Sequence, residues 1–301
     1  MMRVAVLMGG VSSEREVSLK SGRQVCIALS EAGYEVIPII VTSDLSALLA
    51  ALTPRPDVVF NALHGRFGED GTIQGVLDYI RIPYTHSGVR ASAVAMDKAA
   101  AKAVFAAAGL PIAPHKIIDI SELLEQDPLP RPYVVKPVNE GSSVGVFIIK
   151  KGDNLHAGIV ADWQFGPAMV EQYIPGRELT VGVLENRALT VTEILPTEKF
   201  YDYHAKYAAG GSRHVLPAEI PDDIAARAKE IAVAAHSALG CRGASRADLR
   251  YDPDTGRLIL LEVNTQPGMT ATSLLPEQAA HEGVDFPELC AWIVERATCR
   301  V

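Results

Sequence analysis

The opening of the chain constrains its fold more than any other segment. "RVAVLMGG", from Arg3 to Gly10, is an apolar, β-branched run that stops at two glycines, as a strand buried on both faces does. "SSEREVSLKSGRQVCIALSEAGYEV" follows and reads as a helix closed by Gly33. "YEVIPIIV" and "PDVVFNAL" are two further buried strands. Strands of this kind separated by helices call for a parallel sheet with covered faces, so residues 1 to about 90 read as an open α/β unit. At the helix start, Ser13 and Glu16 have capping-box spacing. That gives Glu16 a structural task and leaves Glu14 without one.

The pattern then changes. "ASAVAMDKAAAKAVFAAAGLP" reads as one strong helix stopped by Gly109 and Pro111. "PYVVKP" and "VGVFIIK" flank the glycine- and serine-rich "VNEGSSVG" as strand, loop, strand, and "AMVEQYI" adds another strand. "ELTVGVLENRALTVTEIL" reads as a hairpin about Glu185 to Arg187. A long helix, "DDIAARAKEIAVAAHSALG", precedes two strands, "SRADLRYD" and "RLILLEVN", joined through "PDTG". The length of 301 residues fits two or three packed units.

Net charge bounds the partners. At −8, with no long basic run, the chain lacks the electrostatic footprint for nucleic acid or an anionic membrane. A phosphate ligand therefore has to meet a local cluster of positive charge. The apolar run before Gly9 is too short for a signal-peptide core or a spanning helix, so the expected location is the cytosol. Cys26, Cys241, Cys290 and Cys299 are scattered without zinc-like spacing and read as reduced, mostly buried thiols.

"SRADLRY…LILLEVN" carries the most chemistry. Side chains alternate along a strand, so Arg246, Asp248 and Arg250 share one face while Glu262 and Asn264 share a face of the next strand. Symmetric pairing through the turn sets Asp248 opposite Leu260 and diagonal to Glu262. Two carboxylates and an amide oxygen then converge as oxygen-only donors, which suit magnesium. The plainer reading is a solvated face in which Arg246 or Arg250 bridges to Asp248. "NEGSSVG" is either a phosphate-cradling loop or a hairpin turn. Its Gly141, Ser143 and Gly145 also match the nucleophile-elbow pattern, with Asp248 and His281 as the remaining members of a hydrolase triad. That pattern requires a helix next, whereas "VGVFIIK" reads as a strand. Neither a P-loop nor a full Gly-x-Gly-x-x-Gly occurs. Lys98, Lys136 and His64 are candidates by position, the last in the glycine-rich "LHGRFGEDGTIQG" at a strand end.

In combination, "GGVSSEREVSL", "HGRFGEDGTIQG", "MDK", "KPVNEGSSVGV", "EQYIPGRELTV", "FYDYHAKY", "SRADLRYD" and "LLEVNTQPGMTATSL" resemble, in order and spacing, the D-alanine:D-alanine ligases of the ATP-grasp superfamily. The resemblance implies an ATP-grasp fold, α/β and in part α+β. Its units would be an N-terminal open parallel-sheet subdomain at 1–95, a central one at 96–177 and a C-terminal catalytic one at 178–301 with a lid loop at 199–213. It implies ATP-dependent peptide-bond formation between two D-alanines through an acyl phosphate, for peptidoglycan precursor synthesis. Magnesium, replaceable by manganese, and a homodimer come with it.

Residue by residue, the resemblance implies that Lys98, Lys136 and Lys206 contact phosphates. Glu171, Gln172 and Ile174 would meet the adenine and Glu178 the ribose; relatives often carry Lys where this chain has Gln172. Asp248, Glu262 and Asn264 would hold the metal. Glu14 and His64 would bind the first D-alanine, Arg246 and the Gly268 backbone would stabilise the oxyanion, and Ser273 with Leu274 would take the second carboxylate. Tyr207 would join Ser142 and Glu14 in a hydrogen-bonded set, and it favours a dipeptide product over D-alanyl-D-lactate. The aromatics of "FYDYHAKYAAGGS", hinged at Gly210 and Gly211, would shield the acyl phosphate from water.

Overall fold

A computed structural model describes residues 1–141, 144–196 and 212–299. Ser142, Ser143, Lys206, Tyr207, Gly210, Gly211 and nearly all of the expected lid loop at 199–213 lie outside the described residues.

The opening pattern folds as read. β1 (Arg3–Gly9) lies between β2 (Glu35–Val41) and β3 (Val58–Asn61) in a parallel three-stranded sheet. α1 (Arg15–Glu31) packs on it through Val25, Ala28 and Leu29 against Val4, Val6 and Phe60. The capping box does not form. Gly9 and Gly10, at φ of +88° and +82°, turn the chain so that the helix begins at Arg15 with Glu14 at the N-cap, and Ser13 and Glu16 are both exposed. Ser12 does the local work instead: its Oγ accepts the Glu14 N–H at 3.2 Å and donates to the His64 carbonyl at 2.7 Å. α2 (Leu45–Ala51) and α3 (Thr72–Tyr79) complete this region.

The alanine-rich segment is two helices, not one: α4 (Val89–Met96) and α5 (Lys98–Ala107). Asp97 breaks it. Its backbone is extended, and its carboxylate caps α5 by accepting from the Ala99 and Ala100 N–H groups at 2.9 Å each. The next sheet is antiparallel and orders β4 (His115–Ile118), β7 (Ala168–Gln172), β5 (Tyr133–Pro137) and β6 (Phe147–Ile149). Tyr133, Val135, Ala168 and Val170 turn one face to a core closed by Leu123 and by Ile159 of α6 (His156–Asp162). The opposite face carries Lys136, Met169 and Glu171.

The third sheet runs β11 (Ser212–Val215), β10 (Thr192–Pro196), β8 (Arg177–Leu184), β12 (Ala244–Asp252), β13 (Arg257–Asn264), with β9 (Arg187–Ala188) paired to β8. The β8–β9 turn falls at Glu185, as expected, with φ +54°. Val181, Leu249 and Leu260 meet α7 (Asp222–Leu239) and Ala101 and Phe105 of α5 in one core. α8 (Leu274–His281) follows β13, and α9 (Phe286–Glu295) returns to the first sheet, burying Leu289 and Ile293 beside Val4 and Val6. The four cysteines are free; only Cys290 is fully buried, and the other three are half-buried. No helix of the described residues is long and apolar enough to cross a membrane.

Candidate active site

Three groups of polar side chains line the inner faces of these sheets. The first is cationic. Lys136 and Glu171 are diagonal neighbours on β5 and β7, and Lys136 Nζ donates to Glu171 Oε2 at 2.6 Å. The other carboxylate oxygen, Oε1, is ion-paired with Lys102 of α5. Burial pushes the Glu171 carboxyl up, but the two lysines outweigh it and hold it below the usual carboxylate range. Lys136 is raised, because Glu171 and Glu262 outweigh its burial, whereas burial keeps Lys102 below the ordinary lysine value despite Glu171. One helical turn before Lys102, Lys98 donates from Nζ to the Glu140 carbonyl, and its N–H reaches Val138 O at 3.1 Å. The α5 N-terminus is thereby tied to the turn after β5.

The second group is anionic and lies on β12 and β13. Asp248 stands directly opposite Glu262, and Arg246 opposite Asn264. The expected pairing of Asp248 with Leu260 does not form: Leu249 takes Leu260, and a bulge shifts the register once more between Leu249 and Asp248. A turn one residue shorter than expected supplies half of this displacement and the bulged Leu261 the other half, and together they bring the two carboxylates from diagonal to facing positions. The salt bridge to Asp248 also forms. Arg246 donates from Nε to Oδ1 at 2.9 Å and from the guanidinium NH2 to Oδ2 at 2.7 Å, and Thr180 Oγ1 of β8 donates to Oδ1 at 2.7 Å. Arg250 turns away to the Ile174 and Gly176 carbonyls and lies 3.6 Å from Glu178. Asn264 Oδ1 accepts the Gln266 N–H at 3.1 Å. Gln266 is buried, accepts from Asn61 Nδ2 at 2.8 Å and donates to the Leu63 carbonyl, so an amide bridge joins the end of β13 to the first sheet.

The third group gathers at the mouth of the first sheet. His64 Nδ1 meets Glu69 Oε1 at 3.0 Å, and its Nε2 lies 3.4 Å from Ser21 Oγ. Burial works against its charged form, but Glu69 and Glu14 outweigh it and raise its pKa; the charge of Arg246 opposes them. A Cβ on Gly65 would stand 2.7 Å from Glu14 Oε2, and one on Gly141 3.7 Å from the same atom. The Glu14 carboxylate therefore borders both the His64 loop and the turn that leads to residue 142.

Other candidates are placed as follows. Gln172 donates its N–H to Pro114 O at 2.9 Å, and Ile174 is buried. Ser273 is the N-cap of α8, but its Oγ turns back to Thr270, accepting from the N–H at 3.1 Å. Gly268 lies beside it; a Cβ there would be 3.2 Å from Ser273 Oγ. His281 is exposed at the far end of α8. Strand β6, not a helix, follows the turn at Gly145, so the nucleophile elbow and the hydrolase reading fall away. Sequence reading missed Lys102. Its one signal is a lysine next to Ala101 and four residues after Lys98 in an otherwise apolar helix.

A parallel sheet joined to two antiparallel sheets whose inner faces carry opposite charge defines an ATP-grasp ligase. The chain belongs to the D-alanine–D-alanine ligase family. A model described as "D-ala D-ala ligase C-terminus" matches residues 104–295, and one described as "D-ala D-ala ligase N-terminus" matches 3–51 and 48–87. The chain is 72% identical to the D-alanine–D-alanine ligase of Acidiphilium cryptum over 100% of both chains. It is 67% identical to that of Granulibacter bethesdensis, over 99% of this chain and 98% of the relative. Among solved structures, the Bacillus anthracis ligase superposes with TM-score 0.86 at 33% identity, covering 98% of this chain and 97% of the other. A form of that enzyme complexed with ATP superposes with TM-score 0.83 at 30% identity and the same coverage.

Proposed function

We propose that this ligase joins two D-alanines into D-alanyl-D-alanine at the expense of ATP, through an acyl phosphate, for peptidoglycan precursor synthesis. One observation carries the reading: α5, whose Lys102 pairs with Glu171 beside Lys136, packs through Ala101 and Phe105 against Leu260 and Val263 of β13, the strand that carries Glu262. A lysine cluster and a carboxylate ledge therefore face each other, a combination that suits a nucleotide triphosphate and its metal.

Lys98 and Lys136 hold the phosphates, joined by Lys206. Glu171, the backbone at Gln172 and Ile174 hold the adenine, and Glu178 holds the ribose. Asp248, Glu262 and Asn264 would hold magnesium. Their donors are all oxygen, the strand register makes the two carboxylates face each other, and Asp248 Oδ2 accepts one hydrogen bond and keeps a lone pair. When bound, the metal supplies neutralisation of phosphate charge. Glu14 holds the first ammonium, with His64 nearby, and the substrate's carboxylate attacks the γ-phosphoryl group. The carboxylate oxygen bonds the γ-phosphorus as the bond to the β,γ-bridging oxygen breaks and ADP leaves; the second D-alanine's ammonium loses a proton, and the resulting amine bonds the acyl carbon as phosphate leaves. Arg246 and the Gly268 N–H stabilise the tetrahedral oxyanion, and the α8 N-terminus at Ser273 and Leu274 takes the second carboxylate. Tyr207 and Ser142 complete a set with Glu14 that favours an amine over a hydroxyl acceptor. The subdomain limits 1–95, 96–177 and 178–301, the lid loop at 199–213, a homodimer and a cytosolic location belong to the same reading.

The test is ADP release with D-alanine alone, with D-alanine plus D-lactate, and with L-alanine. Turnover stimulated by D-alanine alone is expected. A preference for D-lactate would transfer the chain to depsipeptide synthesis, and no D-alanine stimulation would sink the reading.

A further inference from the structure

Lys102 is hard to explain as scaffold. It is 1% exposed on α5, immediately after Ala101 and three residues before Phe105, both of which sit in the core shared with β8, β12 and β13. A buried ammonium costs several kcal/mol of desolvation, and an apolar residue of the same length normally serves the fold as well or better. Its partner is equally unusual. Glu171 is 2% exposed and stands between two lysines, with Lys102 on Oε1 and Lys136 on Oε2.

The two lysines are not equivalent. Lys136 is the more exposed and lies next to last in β5, just before the turn that leads to Gly141. Lys102 is fixed in the middle of a helix whose start is tied to the Val138 and Glu140 carbonyls. If phosphates draw Lys136 Nζ off Glu171, Oε2 is uncovered, and only Lys102 remains to balance the buried carboxylate. Without Lys102, that carboxylate would either retain Lys136 or take up a proton. Either way its acceptance of a hydrogen bond from a purine amine would weaken.

We propose that Lys102 is a positioning residue for the nucleotide: it anchors Glu171 through Oε1 so that Oε2 accepts the 6-amino group of adenine while Lys136 moves to the phosphates. The inference rests on the proposed ATP-dependent function. It assigns Lys102 to base selection and leaves phosphate and D-alanine contacts to other residues.

The experiment is calorimetric titration of the full chain with ADP and with IDP, which has no 6-amino donor, alongside thermal unfolding. The wild type is expected to prefer ADP. In Lys102→Met, ADP binding should weaken about tenfold, the scale of one charge-assisted hydrogen bond. IDP binding should change little, and the fold, checked by the melting temperature, should survive because Glu171 keeps Lys136 in the free protein. Lys102→Arg, which keeps the charge, should retain the preference. The double variant Glu171→Gln/Lys102→Met removes both buried charges and so folds if the single variant does not. It should be no weaker for ADP than Glu171→Gln alone, because Lys102 acts only through Glu171. A folded Lys102→Met with the wild-type ADP/IDP ratio, or a wild type with no preference, overturns the inference. ADP binding without D-alanine-dependent turnover overturns the reaction and leaves this inference standing; absence of ADP binding overturns both.

Discussion

The lysine cluster on the central sheet and the carboxylate ledge on β12 and β13 are built by the same device with opposite outcome. Each uses neighbouring strands to bring ionic side chains onto an inner face, and each satisfies part of its charge internally. Beside the central sheet Lys102 and Lys136 share one carboxylate, Glu171, and Lys98 is held by the Glu140 carbonyl, leaving an excess of positive charge. On the ledge Asp248, which pairs with the Arg246 guanidinium, stands opposite Glu262, leaving an excess of negative charge. They also differ in how they are held. Glu171 is gripped by ion pairs from two elements, whereas Asp248 is set by a β-bulge and a hydroxyl from Thr180. Each side is thus complementary to one half of a metal–nucleotide complex.

Glu262→Gln tests the anionic side and has the largest expected effect. The amide keeps the shape but removes the charge that faces Asp248. Turnover should fall about 10²–10³-fold, the usual scale for one electrostatic contact in a transition state. The magnesium concentration needed for half-maximal rate should rise, while metal-free ADP binding, measured by calorimetry, should hold. Equal losses in metal-free ADP binding would erase the distinction between the two faces.

Lys136→Met tests the cationic side. Glu171 keeps Lys102, so the fold should survive, and the KM for ATP should rise about 10- to 100-fold, as expected for one lost charge-assisted contact to phosphate. The KM for D-alanine should move much less. A larger change for D-alanine than for ATP would place Lys136 at the wrong substrate. Lys102→Met, at about tenfold and confined to the purine, ranks below it.

How much of this was legible depended on distance along the chain. The α/β opening, the β8–β9 turn at Glu185 and the Arg246-x-Asp248 and Glu262-x-Asn264 faces follow from local periodicity, which a sequence displays directly. Facing versus diagonal pairing of Asp248 and Glu262 turned on a turn one residue shorter than expected and on one bulged residue, Leu261, and a bulge leaves no local mark in an apolar strand. Asp97 hid in the alanine-rich run because a capping aspartate and a surface aspartate look alike until the backbone is seen. Lys102 was overlooked for a different reason. Its meaning lies entirely in Glu171, on a strand 69 positions away by numbering, and a single lysine among alanines reads as solvated. The amide bridge from Asn61 to Gln266 is non-local in the same way.

The smallest effect expected is at the third group, where the two faces meet the first sheet and the balance is one proton. His64 is the counterpart of both comparisons: Glu69 and Glu14 favour its charge, while burial and Arg246 oppose it, with the net pKa raised above 6.5. A group whose folded pKa lies above its unfolded value binds its proton more tightly when folded. Its stabilisation is therefore complete below about pH 6.5 and is lost as pH rises through the folded pKa. Urea unfolding between about pH 6 and 9 should show wild-type stability falling with pH, no more steeply than about 1.4 kcal/mol per pH unit for one proton. His64→Gln alone would leave Glu69 buried without its partner, so the reference is His64→Gln/Glu69→Gln, which removes both titrating groups. Its stability should be flatter across that window. Parallel curves for the two proteins would mean that the His64–Glu69 contact holds no proton that the unfolded chain releases, and the electrostatic account of this corner would fail.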